Sequence, residues 1–276
     1  MESSRPSRPS EAGPRRQEDK DVSGESVVDA VATYALRLGD DALILAQRLT
    51  WWVSRAPNFE EDVAFANIAL DLLGQARWLL SYAAAVEGRG RDEDTLAYER
   101  EPSEFRNLLI VEVPNGDFGV SICRQLLFST YQVELYSELA HSSDEVLAGI
   151  GAKAVNEATF HRDHAAEWVV RLGDGTDFSH RRVSRALGDL WPFTDEMFAG
   201  DPLIKTLVDA HVTADHHGLR PRWLAYVEDV LTRATLEVPN SSRQQEGGRS
   251  GIHSETFPEL IHELQALRSA HPGAEW

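Results

Sequence analysis

The chain has little cysteine and few basic residues for its length. Cys123 is the only cysteine among 276 residues, which excludes an internal disulfide framework and a cysteine-built zinc site. Lysine and arginine number 27 against 45 acidic residues, so the formal net charge is −18. Because binding to phosphates needs a basic stripe, this balance argues against a nucleic acid partner and against an anionic membrane surface.

The sequence also lacks a long uncharged apolar run. No stretch of about 18 residues is free of charge, so we predict no membrane span. Residues 1–25 are rich in Ser, Pro, Arg and Glu, and we expect a disordered tail there rather than a secretory signal peptide. The single cysteine fits a reducing compartment, and the predicted location is the cytoplasm.

Apolar residues after the tail recur at helical spacing, and no convincing strand pattern is present. Gly39 is a candidate break in the first helix, because Asp40 and Asp41 follow it directly. Residues 239–251 are polar and rich in Gly and Ser, which predicts a flexible linker within one domain, residues 26–276. The fold class is therefore all-α, a long-helix bundle with extra C-terminal helices. The predicted helices cover residues 27–49, 60–86, 118–139, 144–172, 176–198, 202 to about 234 (with a break near Gly218 and Pro221) and 257–270.

A long-helix bundle is a fold in which carboxylate-bridged di-metal sites are built. Such sites use Glu-x-x-His, since residues i and i+3 share one helix face and reach the same ions. Two literal matches exist, Glu138 with His141 and Glu259 with His262. Both lie near predicted helix ends, whereas metal ligands lie mid-helix, so we interpret them as chance matches on solvated faces.

Mid-helix polar residues are the stronger candidates for a site at the bundle centre. They lie at helix-face spacings on three predicted helices: Asn67, Asp71, Gln75, Glu134, Glu157, His161 and His164. Two hypotheses remain open. Either Glu134, Glu157, His161 and Asp71 bind metal in a non-standard geometry, or the polar centre is satisfied by internal hydrogen bonds and ion pairs. The second is favoured, because Gly74 and Phe160 stand where Glu-x-x-His would place imidazoles.

A third cluster, formed by three histidines close in sequence, is weaker. His211, His216 and His217 do not share a helix face cleanly, since the spacings are 5 and 6. We therefore give this cluster little weight as a site.

Several blocks of the sequence, in order along the chain, resemble the phenylacetic acid catabolic protein family. The likeness covers residues 27–276, nearly everything outside the tail. The blocks are LGDDALILAQRL (38–49), EDVAFANIALDLLGQAR (61–77), GRDEDTLA (90–97), FRNLLIVE (105–112), PNGDF (114–118), RLGDGTD (171–177), and GIHSE (251–255) through PGAEW (272–276).

This resemblance implies a ferritin-like fold and a place in the multicomponent oxygenase that epoxidises the ring of phenylacetyl-CoA. It implies that a similar A subunit holds the di-iron centre and that this chain is its structural partner. A small B subunit and a reductase subunit with flavin, an iron–sulfur cluster and NADPH complete the implied set. We expect no catalytic residue, metal or cofactor in this chain itself.

The alternatives are a self-sufficient di-iron carboxylate oxygenase and a metal-binding ferritin-like protein. The structural hypothesis requires helix faces that meet the partner subunit. Trp51, Trp52, Trp78 and Tyr82 are candidates for that interface, although the core competes for all four.

Overall fold

The computed structural model describes residue 1 and residues 18–240, 244–272 and 274, and this part of the chain contains ten α-helices and no strand. Short 3₁₀ turns connect several of them. The all-α prediction is confirmed. The helices are α1 (Glu18–Thr50), α2 (Phe59–Glu87), α3 (Glu93–Tyr98), α4 (Leu109–Glu112), α5 (Phe118–Leu139), α6 (Glu145–Gly173), α7 (Asp177–Leu190), α8 (Pro202–Asp209), α9 (Arg220–Arg233) and α10 (Phe257–Ala270).

Two long helix pairs form the bundle, α1 with α2 and α5 with α6, and the smaller helices pack around them. Side-chain caps define where three of these helices begin. Asn58, Asp117 and Asp144 each accept hydrogen bonds from backbone N–H groups of the first turn, which satisfies donors that have no partner inside the helix. α2 ends where Gly88 takes a left-handed conformation, with φ at 63°.

Helix α1 runs without interruption through Gly39, the candidate break. A Cβ at Gly39 would lie 2.8 Å from Cδ2 of Leu80, so the glycine allows α1 and α2 to approach closely. Asp40 and Asp41 are buried and do not end the helix, because each has an arginine partner. The predicted break was a misinterpretation of buried charges as turn residues.

Two predicted helices end earlier than their patterns suggest. The helix predicted over residues 176–198 stops at Leu190, and Pro192 lies in a separate 3₁₀ turn. The helix predicted from residue 202 towards 234 is divided into α8 and α9, with His211 in a left-handed conformation at φ 59° between them. Pro221 lies in the first turn of α9, where its missing N–H costs nothing.

The predicted tail and linker are only partly described. Residues 2–17 of the tail and residues 241–243 of the linker lie outside the described residues. Residues 18–25, which we assigned to the tail, are in helix α1; no proline follows Pro14 in this segment to prevent helix formation. The described residues 244–251 are anchored, since Glu196 accepts hydrogen bonds from the backbone N–H groups of Gly247 and Gly248 at 3.0 and 2.8 Å.

Buried ion pairs hold the connecting segments against α1. Arg100 pairs with Asp40, and both side chains are almost fully buried. Arg249 pairs with Asp41 at 2.7 Å. These pairs join the chain around residue 100 and the chain around residue 249 to one point on α1. No helix in the described part of the chain has both the length and the apolarity needed to cross a membrane.

Candidate functional site

Helices α2 and α6 face one another through a row of polar side-chain pairs. Glu61 of α2 lies 2.9 Å from Nε2 of His164 on α6. Further along the same pair of helices, Asp71 lies 3.0 Å from Nε2 of His161. The amide of Gln75 then donates to Glu157 at 3.0 Å. We call these three contacts the α2–α6 polar row.

Gln75 carries this row into the core. Its side chain is fully buried, and its Oε1 accepts from the Tyr136 hydroxyl at 3.2 Å and from the Gln132 amide at 3.4 Å. With the bond to Glu157, both ends of the Gln75 amide have partners. A buried amide with all these partners is a stable structural group, because leaving it unpaired costs about 1–3 kcal/mol.

The two histidines of the row use one ring nitrogen each. Nε2 contacts a carboxylate in both, whereas Nδ1 of His161 and Nδ1 of His164 are buried and have no hydrogen-bond partner among the described residues. In the tautomer that carries the proton on Nε2, each ring donates to its carboxylate. The arrangement therefore forms two carboxylate–imidazole pairs that join α2 to α6.

Two of the predicted site residues are not part of this row. Asn67 is exposed on the outer face of α2. Glu134 accepts from Nε of Arg222 at 2.5 Å, and the same guanidinium reaches Glu138 at 2.6 Å. Arg222 lies on α9, so it draws Glu134 to the side of the bundle. The prediction that Asn67 and Glu134 lie at the bundle centre was therefore wrong.

The residues at the bundle centre do not fit a di-iron centre. Among the described residues, no three His, Cys, Asp or Glu side chains are grouped closely enough to hold a metal ion. Gly74 has no ligand atom, and the Phe160 ring points outward with 57 % of its surface exposed. The carboxylates that remain are engaged by Gln75, His161 and His164. We therefore derive no chemistry through iron on this chain.

The other histidine candidates are scattered. His141 and His262, from the two Glu-x-x-His matches, are exposed, as expected for solvated faces. His211 and His217 are also exposed, whereas His216 is buried against the Tyr34 ring. These three histidines do not form one site.

Sequence reasoning missed one member of the row, Glu61, and two further partners of Gln75. Glu61 lies in the first turn of α2, where the Asn58 side chain accepts from its backbone N–H at 2.9 Å. Its carboxylate has a second use, the contact with His164. Tyr136 and Gln132 lie far from Gln75 in the sequence, on α5, and no local pattern marks them as its partners.

The outer face of α2 exposes several large apolar side chains beside the polar Asn67. Phe59 is 76 % exposed and Leu70 is 64 % exposed, with Val63 between them on the same face. Phe160 of α6 is also exposed, at 57 %, and stacks on the His164 ring that pairs with Glu61 of α2. Trp78 borders this face, with the ammonium of Lys153 3.6 Å from its ring centroid. We call Phe59, Val63, Leu70 and Phe160 the α2 outer face.

Of the four aromatic residues named as interface candidates, two belong to the protein interior or its edge. Trp52 is buried and stacks on Phe65, and the half-buried Tyr82 donates to Asp144 at 2.5 Å. Trp51 and Trp78 remain accessible.

Comparison with known proteins establishes the family. The model of the phenylacetic acid catabolic proteins matches residues 2–276. The chain belongs to this family. It is also 43 % identical over 249 residues to the C subunit of the 1,2-phenylacetyl-CoA epoxidase of Escherichia coli (strain K12), a match that covers 90 % of this chain and 100 % of the relative. Membership of the phenylacetic acid catabolic protein family confirms the resemblance seen in the sequence blocks.

Proposed function

We propose that the chain is a structural, non-catalytic subunit of the multicomponent oxygenase that epoxidises the aromatic ring of phenylacetyl-CoA in aerobic phenylacetate catabolism. Its role is to stabilise the subunit that holds the di-iron centre. The observation that carries this proposal is the α2–α6 polar row. It engages Glu61, Asp71 and Glu157 within the chain, at the place where a catalytic ferritin-like subunit needs free carboxylates and imidazoles.

The proposed partners follow from the same assignment. They are the ferritin-like catalytic A subunit, a small B subunit and a reductase subunit. The di-iron centre belongs to the A subunit, and flavin, an iron–sulfur cluster and NADPH act through the reductase. Because the whole chain carries a net charge of −18, we expect attraction to a more basic partner surface, which weakens as salt is added.

The α2 outer face supports an interaction role. Burying its exposed apolar side chains against a second subunit stabilises a complex, whereas leaving them in water gains nothing. The polar row behind this face holds α2 and α6 at a fixed separation. A rigid face keeps the entropic cost of association low, because few groups become ordered on binding.

A first experiment tests the non-catalytic role. We expect the double variant Asp71→Asn, Glu157→Gln to assemble with the A subunit in normal yield and to support turnover of phenylacetyl-CoA within about twofold of the parent complex, since both changes keep the side-chain shape. A turnover loss above tenfold at unchanged complex yield contradicts the proposal. Iron close to two atoms per chain in the separately purified protein contradicts it as well and favours a self-sufficient di-iron enzyme.

A second experiment tests the face. We expect Leu70→Asp to reduce co-purification with the A subunit at least tenfold, because a charge enters an apolar contact. Leu267→Asp is the matched control, since Leu267 is also an exposed helical leucine, at 58 %, but lies on α10. If both variants lose co-purification equally, or if neither loses it, the α2 outer face is not the contact surface. The first experiment then decides the role of the chain.

A further inference from the structure

Helix α10 carries an apolar stripe that is longer than the surface it packs against. Residues three, four and seven positions apart share one helix face, and five apolar residues of α10 follow this spacing: Phe257, Leu260, Ile261, Leu264 and Leu267. The first three are buried. Leu264 is only half-buried, and Leu267 is 58 % exposed. The last two turns of α10 therefore present apolar side chains that the described residues leave partly uncovered.

A groove of about 300 Å³ lies beside these two turns. Leu264 and Leu267 line it from α10, and the half-buried Tyr98 lines it from α3. Arg268 and Asp94 complete the lining. Asp94 is exposed and brings carboxylate oxygens, which are hydrogen-bond acceptors, to the rim. The groove therefore combines an apolar floor with an acceptor at its edge.

The chain turns back towards α10 after the helix ends. The backbone N–H of Ala274 donates to the carbonyl oxygen of His271 at 3.2 Å, which closes a turn. Nη1 of Arg268 donates to the carbonyl oxygen of Ala274 at 3.3 Å. Arg268 is itself held by an ion pair with Glu99 at 2.9 Å. Ala274 is therefore fixed beside a side chain that lines the groove.

Trp276 is two positions beyond Ala274 and lies outside the described residues. Two extended residues span about 7 Å, and α10 rises about 6 Å between Leu264 and Arg268. The chain beyond Ala274 is therefore long enough to bring Trp276 to the last two turns of α10. A tryptophan side chain buries about 150–250 Å² of surface, and its N–H usually finds an acceptor when it is buried. The groove offers both an apolar floor and such an acceptor.

We propose that the indole of Trp276 binds in this groove of the same chain. Its rings lie against Tyr98, Leu264 and Leu267, and its Nε1 donates to Asp94. The contact holds the end of α10 against α3 and covers the apolar side chains that α10 otherwise exposes. It uses no residue of the α2–α6 polar row or of the α2 outer face, so it goes beyond the proposed subunit role.

Fluorine NMR on the full chain, labelled with 5-fluorotryptophan, tests the contact. The chain has seven tryptophans, and the variants Trp276→Phe and Trp51→Phe identify the two resonances to be compared. A soluble, uncharged gadolinium chelate broadens the resonances of solvent-exposed side chains. We expect the chelate to broaden Trp276 at least threefold less than Trp51, which is 45 % exposed. Equal broadening of the two resonances overturns the proposal.

A pair of leucine variants locates the contact. Leu267→Asp places a charge in the groove at an exposed position and should raise the broadening of Trp276 to that of Trp51. Leu70→Asp is the matched control, because Leu70 is also an exposed helical leucine, at 64 %, but lies on α2. It should leave Trp276 protected. Loss of protection in both variants, or in neither, shows that the groove is not the binding site of Trp276.

Two further measurements distinguish the other occupants of the groove. Protection of Trp276 that weakens on tenfold dilution of the protein indicates binding to a second copy of the chain. Protection that develops only after the A subunit is added indicates binding to that subunit. Either result overturns the proposal, whereas protection that is independent of concentration in the isolated chain supports it.

Discussion

Replacing Arg249 by methionine should destabilise the chain more than any surface substitution. The Arg249 guanidinium donates to both oxygens of Asp41, at 3.0 and 2.7 Å, and to the backbone carbonyl oxygens of residues 37 and 106 at 3.1 and 2.7 Å. In Arg249→Met, the buried Asp41 keeps only the backbone N–H of Leu108, at 2.7 Å. Removing one partner of a buried pair costs about 3–5 kcal/mol, so we expect that loss in the free energy of unfolding near pH 8.

The loss of unfolding free energy in Arg249→Met should be smaller at acidic pH. Burial raises the pKa of Asp41 to about 6 even with Arg249 present to lower it, and removing Arg249 raises this pKa further. The folded state then binds a proton that the unfolded state, with an ordinary aspartate pKa, does not hold until about pH 4. Folded-state stability therefore falls as the pH rises through this window. We expect the Arg249→Met deficit to be at least about 1 kcal/mol smaller at pH 5 than at pH 8.

Urea unfolding followed by circular dichroism, at pH 5 and pH 8, measures both effects. Arg233→Met is the matched control, because its pair with Asp229 is exposed at both ends and should change stability by less than about 1 kcal/mol. The double variant Asp41→Asn, Arg249→Met should recover part of the loss, since no uncompensated charge remains. A cost below about 1 kcal/mol for Arg249→Met, with no pH dependence, refutes the reasoning.

Two further stability predictions follow from single positions. Gly248→Ala should lower the unfolding midpoint in urea, because a Cβ there overlaps the carbonyl oxygen of Asn107, whereas Gly188→Ala in α7 meets nothing within 4 Å and should be neutral or stabilising. In His216→Gln, the free energy of unfolding should fall less steeply as the pH is lowered. Since the folded pKa of His216 is about 4, below the ordinary value of 6.5, the unfolded state binds more protons between these pH values, and folding loses up to about 3 kcal/mol on acidification. An unchanged pH profile in His216→Gln contradicts that assignment.

Local signals in the sequence were enough to place α2, α5, α6 and α10. Residues 118–139 and 257–270 were predicted with the bounds that the structure has. The side chain of Asp117 caps the first, and Pro258 marks the first turn of the second. Residues 60–86 differ from α2 by one residue at each end. Caps, turns and apolar periodicity act within a few residues, so a single sequence contains them.

The candidate site was only partly predictable, because its chemistry depends on distant partners. The structure brings the stripe of Asp71 and Gln75 together with the stripe of Glu157 and His161. Glu134 does not join them, because its partner Arg222 lies 88 positions away. No local sequence pattern predicts that contact.

The pairing of Asp41 with Arg249 also has a consequence for the order in which the protein is made. The two residues are 208 positions apart, which at about 5–20 residues per second of synthesis corresponds to roughly 10–40 s. During that interval Asp41 has no Arg249 to pair with, so we expect the contact between this part of α1 and the segment around residue 249 to form late in synthesis. We expect a nascent chain arrested before residue 249 to remain sensitive to protease around Asp41 and to resist cleavage once Arg249 has emerged.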